Sequence, residues 1–112
     1  MFKITTSETF KWPVEVRIPT DGGRHQKATF DAEFRRLPQS QLEKMAERLT
    51  QNEGDGAAVC RELVVGWEGI EDDAGPVRFS AEALGRVLDI PGVVPALIGS
   101  YFDALRGLER KN

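Results

Sequence analysis

The sequence has very few of the residues that form redox or metal sites. Its 112 residues include one cysteine, Cys60, and one histidine, His25. A single cysteine excludes an internal disulfide and any cysteine-pair zinc site, and it suits a reducing compartment. His25 lies in a predicted turn and Cys60 on the apolar face of a predicted helix. A Cys–His dyad would need tertiary contact between them, so neither residue is predicted to be catalytic.

Long apolar runs and an excess of basic charge are also missing. The longest apolar run spans residues 93–98, whereas a membrane helix needs roughly 20 such residues. The start, MFKITTSETF, lacks the basic and apolar regions of a signal peptide. Fifteen basic and 18 acidic residues give a net charge of −3, which argues against sequence-independent nucleic-acid binding. We expect a cytoplasmic protein without a membrane or nucleic-acid partner.

The first third of the chain carries the pattern of a β-hairpin. Apolar residues alternate with polar ones from Phe10 to Ile18 and again from Ala28 to Phe34, which is typical of half-buried strands. Asp21-Gly22-Gly23 lies between them and suits a hairpin turn. The sequence therefore predicts an antiparallel hairpin over residues 9–36. No third strand is predicted, so we expect the hairpin edges to be open to pairing between subunits.

From residue 40 the apolar period becomes helical. Ser40 and Glu43 have the spacing of a capping box, and a second helix is predicted from Ala57 to Trp67. Ser80 is the expected N-cap of a third helix, and a fourth is expected to run to about Leu108. The predicted fold is α+β, with an N-terminal antiparallel hairpin and about four short helices. We expect one domain over residues 1–112, with the helical part at 40–109.

The acidic stretch GWEGIEDDAGPVRFSAE, residues 66–82, could be a calcium loop or a turn. With Gly75 at the sixth position of an EF-hand loop, three of the four required ligands are missing. Asp72, Asp73 and Gly75 instead favour a turn. No phosphate loop is present, and no catalytic, cofactor-binding or metal-binding residue is predicted. The alternative is a small enzyme or regulator that depends on Asp72 and Asp73.

The aromatic residues are the remaining candidates for a functional role. Trp12 occupies an inward strand position, and Tyr101 and Phe102 lie on a helix stripe, so core packing is the ordinary interpretation. Trp67 ends its predicted helix beside glycines, where a large aromatic residue can anchor an interface. The candidate partner-binding residues are Trp67, Trp12, Tyr101 and Phe102.

Two long stretches resemble a known family. They are residues 10–45, FKWPVEVRIPTDGGRHQKATFDAEFRRLPQSQLEKM, and residues 64–105, VVGWEGIEDDAGPVRFSAEALGRVLDIPGVVPALIGSYFDAL. The second has a characteristic spacing of Trp67, Gly69, Asp73, Gly75, Phe79, Ser80, Leu84 and Tyr101. Both resemble the tail assembly chaperones of long-tailed bacteriophages and prophages.

The resemblance implies a non-enzymatic protein of the bacterial host cytoplasm that needs no cofactor. Such a protein is expected to coat the long, apolar tape measure protein and to help tail tube protein polymerise around it. A homo-oligomer is expected as well. The resemblance brings no catalytic residues to this chain. The alternative is a structural tail completion or adaptor protein.

Overall fold

The computed structural model describes residues 1, 2, 4, 7–51 and 55–107. The chain begins with a long antiparallel hairpin of β1, Thr9–Thr20, and β2, Arg24–Arg35, paired without interruption. Gly22 and Gly23 in the connecting turn have φ values of 79° and 74°. Glycine adopts this left-handed conformation without a Cβ clash. The hairpin predicted over residues 9–36 is confirmed.

Among the described residues, four helices follow the hairpin and confirm the α+β fold. They are α1, Gln39–Gln51; α2, Gly56–Leu63; α3, Ala81–Leu88; and α4, Val93–Leu105. The predicted end of the last helix, near Leu108, lies outside the described residues. Within the described part, no single helix is long and apolar enough to cross a membrane. Helices α3 and α4 reach that length and composition only as a pair, bent by 104°.

A third strand replaces the end of the predicted second helix. Helix α2 ends at Leu63, and β3, Val64–Glu68, pairs antiparallel with β2 to give the order β1-β2-β3. The predictions of a helix through Trp67 and of a hairpin without a third strand are therefore wrong. Val64 and Val65 are β-branched and Gly66 is a poor helix former. The edge of β2 offers these residues a hydrogen-bonded ladder instead.

The two predicted serine caps have different outcomes. Ser80 Oγ accepts a hydrogen bond from the Ala83 amide at 3.0 Å, so the cap of α3 is confirmed. Helix α1 already begins at Gln39, which places Ser40 in its first turn. The Ser40 cap is therefore wrong. The Pro38 carbonyl accepts from the amides of Gln41 and Leu42 at 3.0 and 3.1 Å instead.

The helices pack on the face of the sheet formed by the even-numbered residues of the hairpin. From that face Val14, Val16, Ala32 and Phe34 enter the core, where α2 adds Val59, Cys60 and Leu63 and α4 adds Val93, Leu97 and Tyr101. The odd-numbered residues form the opposite, solvent-facing side. A half-buried hairpin requires this alternation of inward and outward side chains.

A second, very short hairpin occupies the acidic stretch. Strand β4, Glu71–Asp72, pairs with β5, Gly75–Pro76. Asp72 Oδ1 accepts from the Ala74 amide at 2.9 Å, the side-chain contact that favours aspartate in turns. Gly75 has a φ of 119°. The interpretation of these acidic residues as a turn is confirmed.

Candidate partner surface

Strand pairing brings two of the predicted partner-binding residues into one row across the sheet. Trp12 on β1 and Trp67 on β3 are both paired with Ala32 on β2. Neighbouring strands lie about 4.8 Å apart, so the two tryptophan backbones are about 10 Å apart. Ala32 is fully buried, whereas each tryptophan is partly exposed. We call Trp12, Ala32 and Trp67 the tryptophan row.

A β-bulge gives Trp67 its orientation. The pairing of β3 with β2 shifts between Glu33 and Phe34, so that Val64 lies opposite Phe34 and Trp67 opposite Ala32. The extra residue in β3 lets Val64 and Trp67, three positions apart, point to the same face. Gly66 lies next to the extra residue, Val65, and opposite Glu33, where a Cβ atom would stand 3.0 Å from Glu33 Oε1. A larger residue at this position would displace that side chain.

The acidic hairpin and the segment after it hold the Trp67 ring in place. Trp67 Nε1 donates a hydrogen bond to the Val77 carbonyl at 2.8 Å. The Phe79 ring packs edge-on against the indole, with 4.9 Å between centroids. The Val77 amide in turn donates to the Ile70 carbonyl at 2.9 Å. The segment after the acidic turn, with the Val77 carbonyl and the Phe79 ring, thus positions Trp67.

The other two candidates, Tyr101 and Phe102, lie on α4. Tyr101 is fully buried, and its hydroxyl donates to the Arg35 carbonyl at 2.9 Å. Burial raises the pKa of this phenol. Phe102 is partly exposed and packs edge-on against Tyr101 at 5.7 Å. The structure thus places Trp12, Trp67 and Phe102 partly at the surface and Tyr101 in the core. Partner binding by the four residues stays a prediction.

Phe10 connects the helix aromatics to the tryptophan row. Its ring stacks on Tyr101 at 5.8 Å. Phe10 also lies two residues before Trp12 on the same face of β1, about 7 Å along the strand. The guanidinium of Arg36 covers the Phe10 ring at 5.1 Å. Sequence reasoning did not select Phe10, although its inward position in the alternation was the available signal.

The opposite face of the sheet carries charges behind the tryptophan row. Lys11 Nζ lies 2.9 Å from Glu68 Oε1. This contact raises the pKa of Lys11 and lowers the pKa of Glu68. Asp31 and Glu33 lie beside the pair around a cleft of about 30 Å³. Both partners are exposed, so solvent screens the interaction and it adds little stability. This side is a solvated charged surface.

The residues weighed for chemistry are not gathered into a common site. Cys60 is 1% exposed, and burial raises the pKa of its thiol to about 11. His25 is exposed in β2 opposite Pro19, so its predicted place in the turn is wrong. Asp72 faces Arg86 at 3.4 Å. Within the described ranges, no group of three or more histidine, cysteine, aspartate or glutamate residues could hold a metal ion.

A groove of about 440 Å³ between the base of β2 and helices α1 and α2 is a feature that sequence reasoning missed. Its lining residues are Arg35, Leu37, Gln41, Lys44, Met45, Arg48 and Glu62. Arg48 is held by Asp55 at 2.7 Å and by Glu62 at 2.8 Å. No local pattern marks the groove, because its walls meet only in the folded chain.

Comparison with known proteins identifies a family. The whole chain, residues 1–112, matches a family model described as phage tail assembly chaperone. No curated protein and no solved structure matches the chain. The family match includes both stretches that carry the resemblance, residues 10–45 and 64–105.

Proposed function

Because the chain belongs to the phage tail assembly chaperone family, we propose that it binds the tape measure protein and aids polymerisation of the tail tube. The proposed role is binding, without catalytic chemistry of its own. The match over the full chain is the observation that carries this proposal. The tryptophan row supplies the surface that we assign to it.

The row has the physical properties of a binding surface for apolar polypeptide. Trp12 and Trp67 are packed against the core, and each keeps part of its ring exposed for a partner to cover; tryptophan is frequent among residues that dominate interface energies. The Val77 carbonyl and the Phe79 ring already hold Trp67 in place. Binding through Trp67 therefore costs little additional side-chain entropy.

Co-expression with the tape measure protein of the same phage tests the proposal. We expect the wild-type chain to increase the soluble fraction of that protein and to co-purify with it. Trp12→Ala and Trp67→Ala should each weaken co-purification. Leu49→Ala is the matched control, because Leu49 is a partly buried apolar residue of α1, outside the row.

Two results would contradict the proposal. One is an unchanged solubility of the tape measure protein when the wild-type chain is present. The other is an equal loss of co-purification with Leu49→Ala, which would indicate general destabilisation. Cosedimentation with finished virions separates the chaperone from a structural tail component, because a chaperone is expected to be absent from mature particles.

We also propose that the chain forms a homo-oligomer in the cytoplasm of the bacterial host. A concentration series by light scattering tests this directly. An average mass that stays at the value of one chain, 12.5 kDa, over the whole series would exclude self-association in that range.

A further inference from the structure

The two long edges of the hairpin differ in the backbone groups that they offer to another strand. The Arg36 amide donates to the Glu8 carbonyl at 2.8 Å, one pair beyond the Thr9–Arg35 pair. Hydrogen-bonded and non-hydrogen-bonded pairs alternate along an antiparallel ladder. The even-numbered residues of β1 and β2 therefore bond to each other. The odd-numbered residues of both strands direct their amides and carbonyls outward.

The outward edge of β1 is poorly suited to strand addition. Pro13 and Pro19 occupy two of its odd-numbered positions and have no amide hydrogen to donate. The outward carbonyl of Thr9 accepts a hydrogen bond from Ser7 Oγ at 2.7 Å. Proline on an edge strand is one of the devices that prevent unwanted pairing between sheets.

The outward edge of β2 contains no proline and is paired with another strand only near its C-terminal end. There Asp31 and Glu33 lie opposite Glu68 and Gly66 of β3. Gly69, with a φ of 92°, passes beside Phe30 and the Thr29 carbonyl before the chain turns toward β4. Within the part of the chain that the structure describes, no strand pairs with residues 24–29 on this side. We call residues 24–29 the open edge.

The side chains of the open edge indicate what kind of strand it would accept. On the solvent face it carries His25 and Lys27 and no acidic residue. Arg17 lies opposite Lys27 on β1, while Glu15 approaches Lys27 Nζ at 3.2 Å. On the helix-facing side, Arg24 and Gln26 are exposed, and Ala28 is only partly buried, as is Phe30 two residues further along β2. An added strand would place alternate side chains on these two faces.

We propose that the open edge binds an extended segment of another protein in which apolar and acidic residues alternate. The segment would form a fourth strand beside β2, on the same side as β3. It would begin past Glu68, the last residue of β3. Its apolar side chains would cover Ala28 and Phe30, and its acidic ones would face His25, Lys27 and Arg17. Backbone hydrogen bonds to residues 25 and 27 and to the Thr29 amide would supply affinity, as in other cases of strand addition.

A second copy of this chain fits the open edge poorly. The longest stretch here that alternates apolar and acidic residues is Phe30–Phe34. That stretch lies in the middle strand, paired with β1 along its whole length and with β3 from Asp31 onward. Antiparallel pairing of two open edges around Lys27 would set two lysines directly opposite each other, and like charges in that position destabilise a sheet. The charge pattern thus favours a different protein.

Hydrogen exchange measured by NMR on the full chain tests the proposal without any substitution. The probe is a capped peptide of alternating valine and glutamate, and its control has lysine in place of glutamate. We expect the glutamate peptide to slow exchange of the outward amides of His25, Lys27 and Thr29. The outward amides of Lys11, Glu15 and Arg17 on β1 should not change. Protection on β1, or no protection with either peptide, would overturn the assignment.

A pair of proline variants gives a second, matched test. Lys27→Pro removes one outward amide from the open edge, and Arg17→Pro removes one from the directly opposite position of β1. Each variant also removes one positive charge. We expect Lys27→Pro to weaken binding of the glutamate peptide about tenfold, the effect of losing roughly one hydrogen-bonded contact. Arg17→Pro should leave the affinity within about twofold, which corresponds to well under 1 kcal/mol.

Two further results would overturn the proposal. One is an equal loss of affinity in the two proline variants. The other is protection of residues 25, 27 and 29 without peptide that increases with protein concentration, which would identify a second copy as the occupant. Lys27 and its neighbours lie apart from the tryptophan row. Failure of these tests would therefore leave tape measure binding by the row untouched.

Discussion

Tyr101→Phe removes one hydroxyl group from the core. The hydroxyl of Tyr101 donates to the Arg35 carbonyl at 2.9 Å and so ties α4 to the end of β2. The substitution keeps the ring and its contacts with Phe10, Phe34 and Phe102, at centroid distances of 5.8, 5.2 and 5.7 Å. Any change in stability therefore reports on the hydroxyl and on the carbonyl that loses its donor.

The expected losses differ for the hydroxyl and for the ring. A net intramolecular hydrogen bond contributes about 1 kcal/mol, and because Arg35 is an exposed residue, we expect a loss near that value for Tyr101→Phe. For a chain of this size, each 1 kcal/mol lowers the melting temperature by roughly 4–8 °C. Tyr101→Ala also removes the ring and should cost about 3–5 kcal/mol, a large part of an ordinary domain's stability.

Alkaline pH gives an independent readout of the same residue. Tyr101 is the only tyrosine, so phenolate absorbance reports on it alone. Burial raises its pKa above the ordinary value of 10.0, so the folded state holds the proton more tightly than the unfolded state. The stabilisation is therefore fully present below about pH 10 and is lost as the pH rises through the folded pKa. Tyr101→Phe should lack this component.

Urea unfolding of the wild type and both variants at neutral and alkaline pH measures these effects. The reasoning would be refuted by two results together: Tyr101→Phe as stable as the wild type, and Tyr101 of the wild type titrating at the ordinary pKa of tyrosine. That combination would mean that the hydroxyl faces water. Equal losses in Tyr101→Phe and Tyr101→Ala would contradict the division between hydroxyl and ring.

Three further substitutions test other parts of the structure. Ser80→Ala removes the acceptor for the Ala83 amide and should cost about 1 kcal/mol in thermal melts. Ser40→Ala, in the first turn of α1, should raise stability by at most a few tenths of a kcal/mol, because alanine is the better helix former, and a loss equal to that of Ser80→Ala would restore Ser40 as a cap. Because burial raises the pKa of Cys60 from 9.0 to about 11, iodoacetamide at pH 8 should label this thiol only after unfolding. Its contribution to stability should be complete below about pH 9 and decline as the pH rises toward 11, and Cys60→Ala should remove that decline. Rapid labelling of the native protein would show that the thiol is accessible.

The hairpin could be predicted because its signals are local. Strict alternation fixes which side chains of β1 and β2 face the helices, and Asp21-Gly22-Gly23 supplies the turn. The cap of α3 is local in the same sense, since Ser80 and Ala83 are three residues apart. Such features need no knowledge of the rest of the chain.

Strand β3 could not be predicted in the same way because its state depends on a distant partner. Its apolar residues continue the helical stripe of α2, and a short apolar run has no period that separates strand from helix. Val64, Val65 and Gly66 weakly disfavoured a helix. Pairing with β2, some 30 residues earlier in the chain, makes this segment a strand.

The sequence predicted the tryptophans of the candidate surface but not their arrangement, because the arrangement also depends on a distant strand. Trp12 and Trp67 could be selected as large aromatic residues. They lie in one row only because β3 pairs with β2 and a bulge sets Trp67 opposite Ala32. This pairing joins residues far apart in the sequence, so no local pattern predicts it. Tyr101 and Phe102 are neighbours on one helix, yet one is buried and the other partly exposed. Helical spacing alone could not separate them.

The position of β3 in the chain has a consequence for synthesis at the ribosome. A hairpin forms in about 1–10 μs, whereas ribosomes add about 5–20 residues per second. The 33 residues from Arg36 to Glu68 thus take roughly 2–7 s at that speed. Throughout that time the nascent hairpin has no β3, and the outward amides of Asp31 and Glu33 are unpaired as well. Any extended segment that binds β2 then competes directly with the chain's own third strand, so translation speed sets how long the competition lasts.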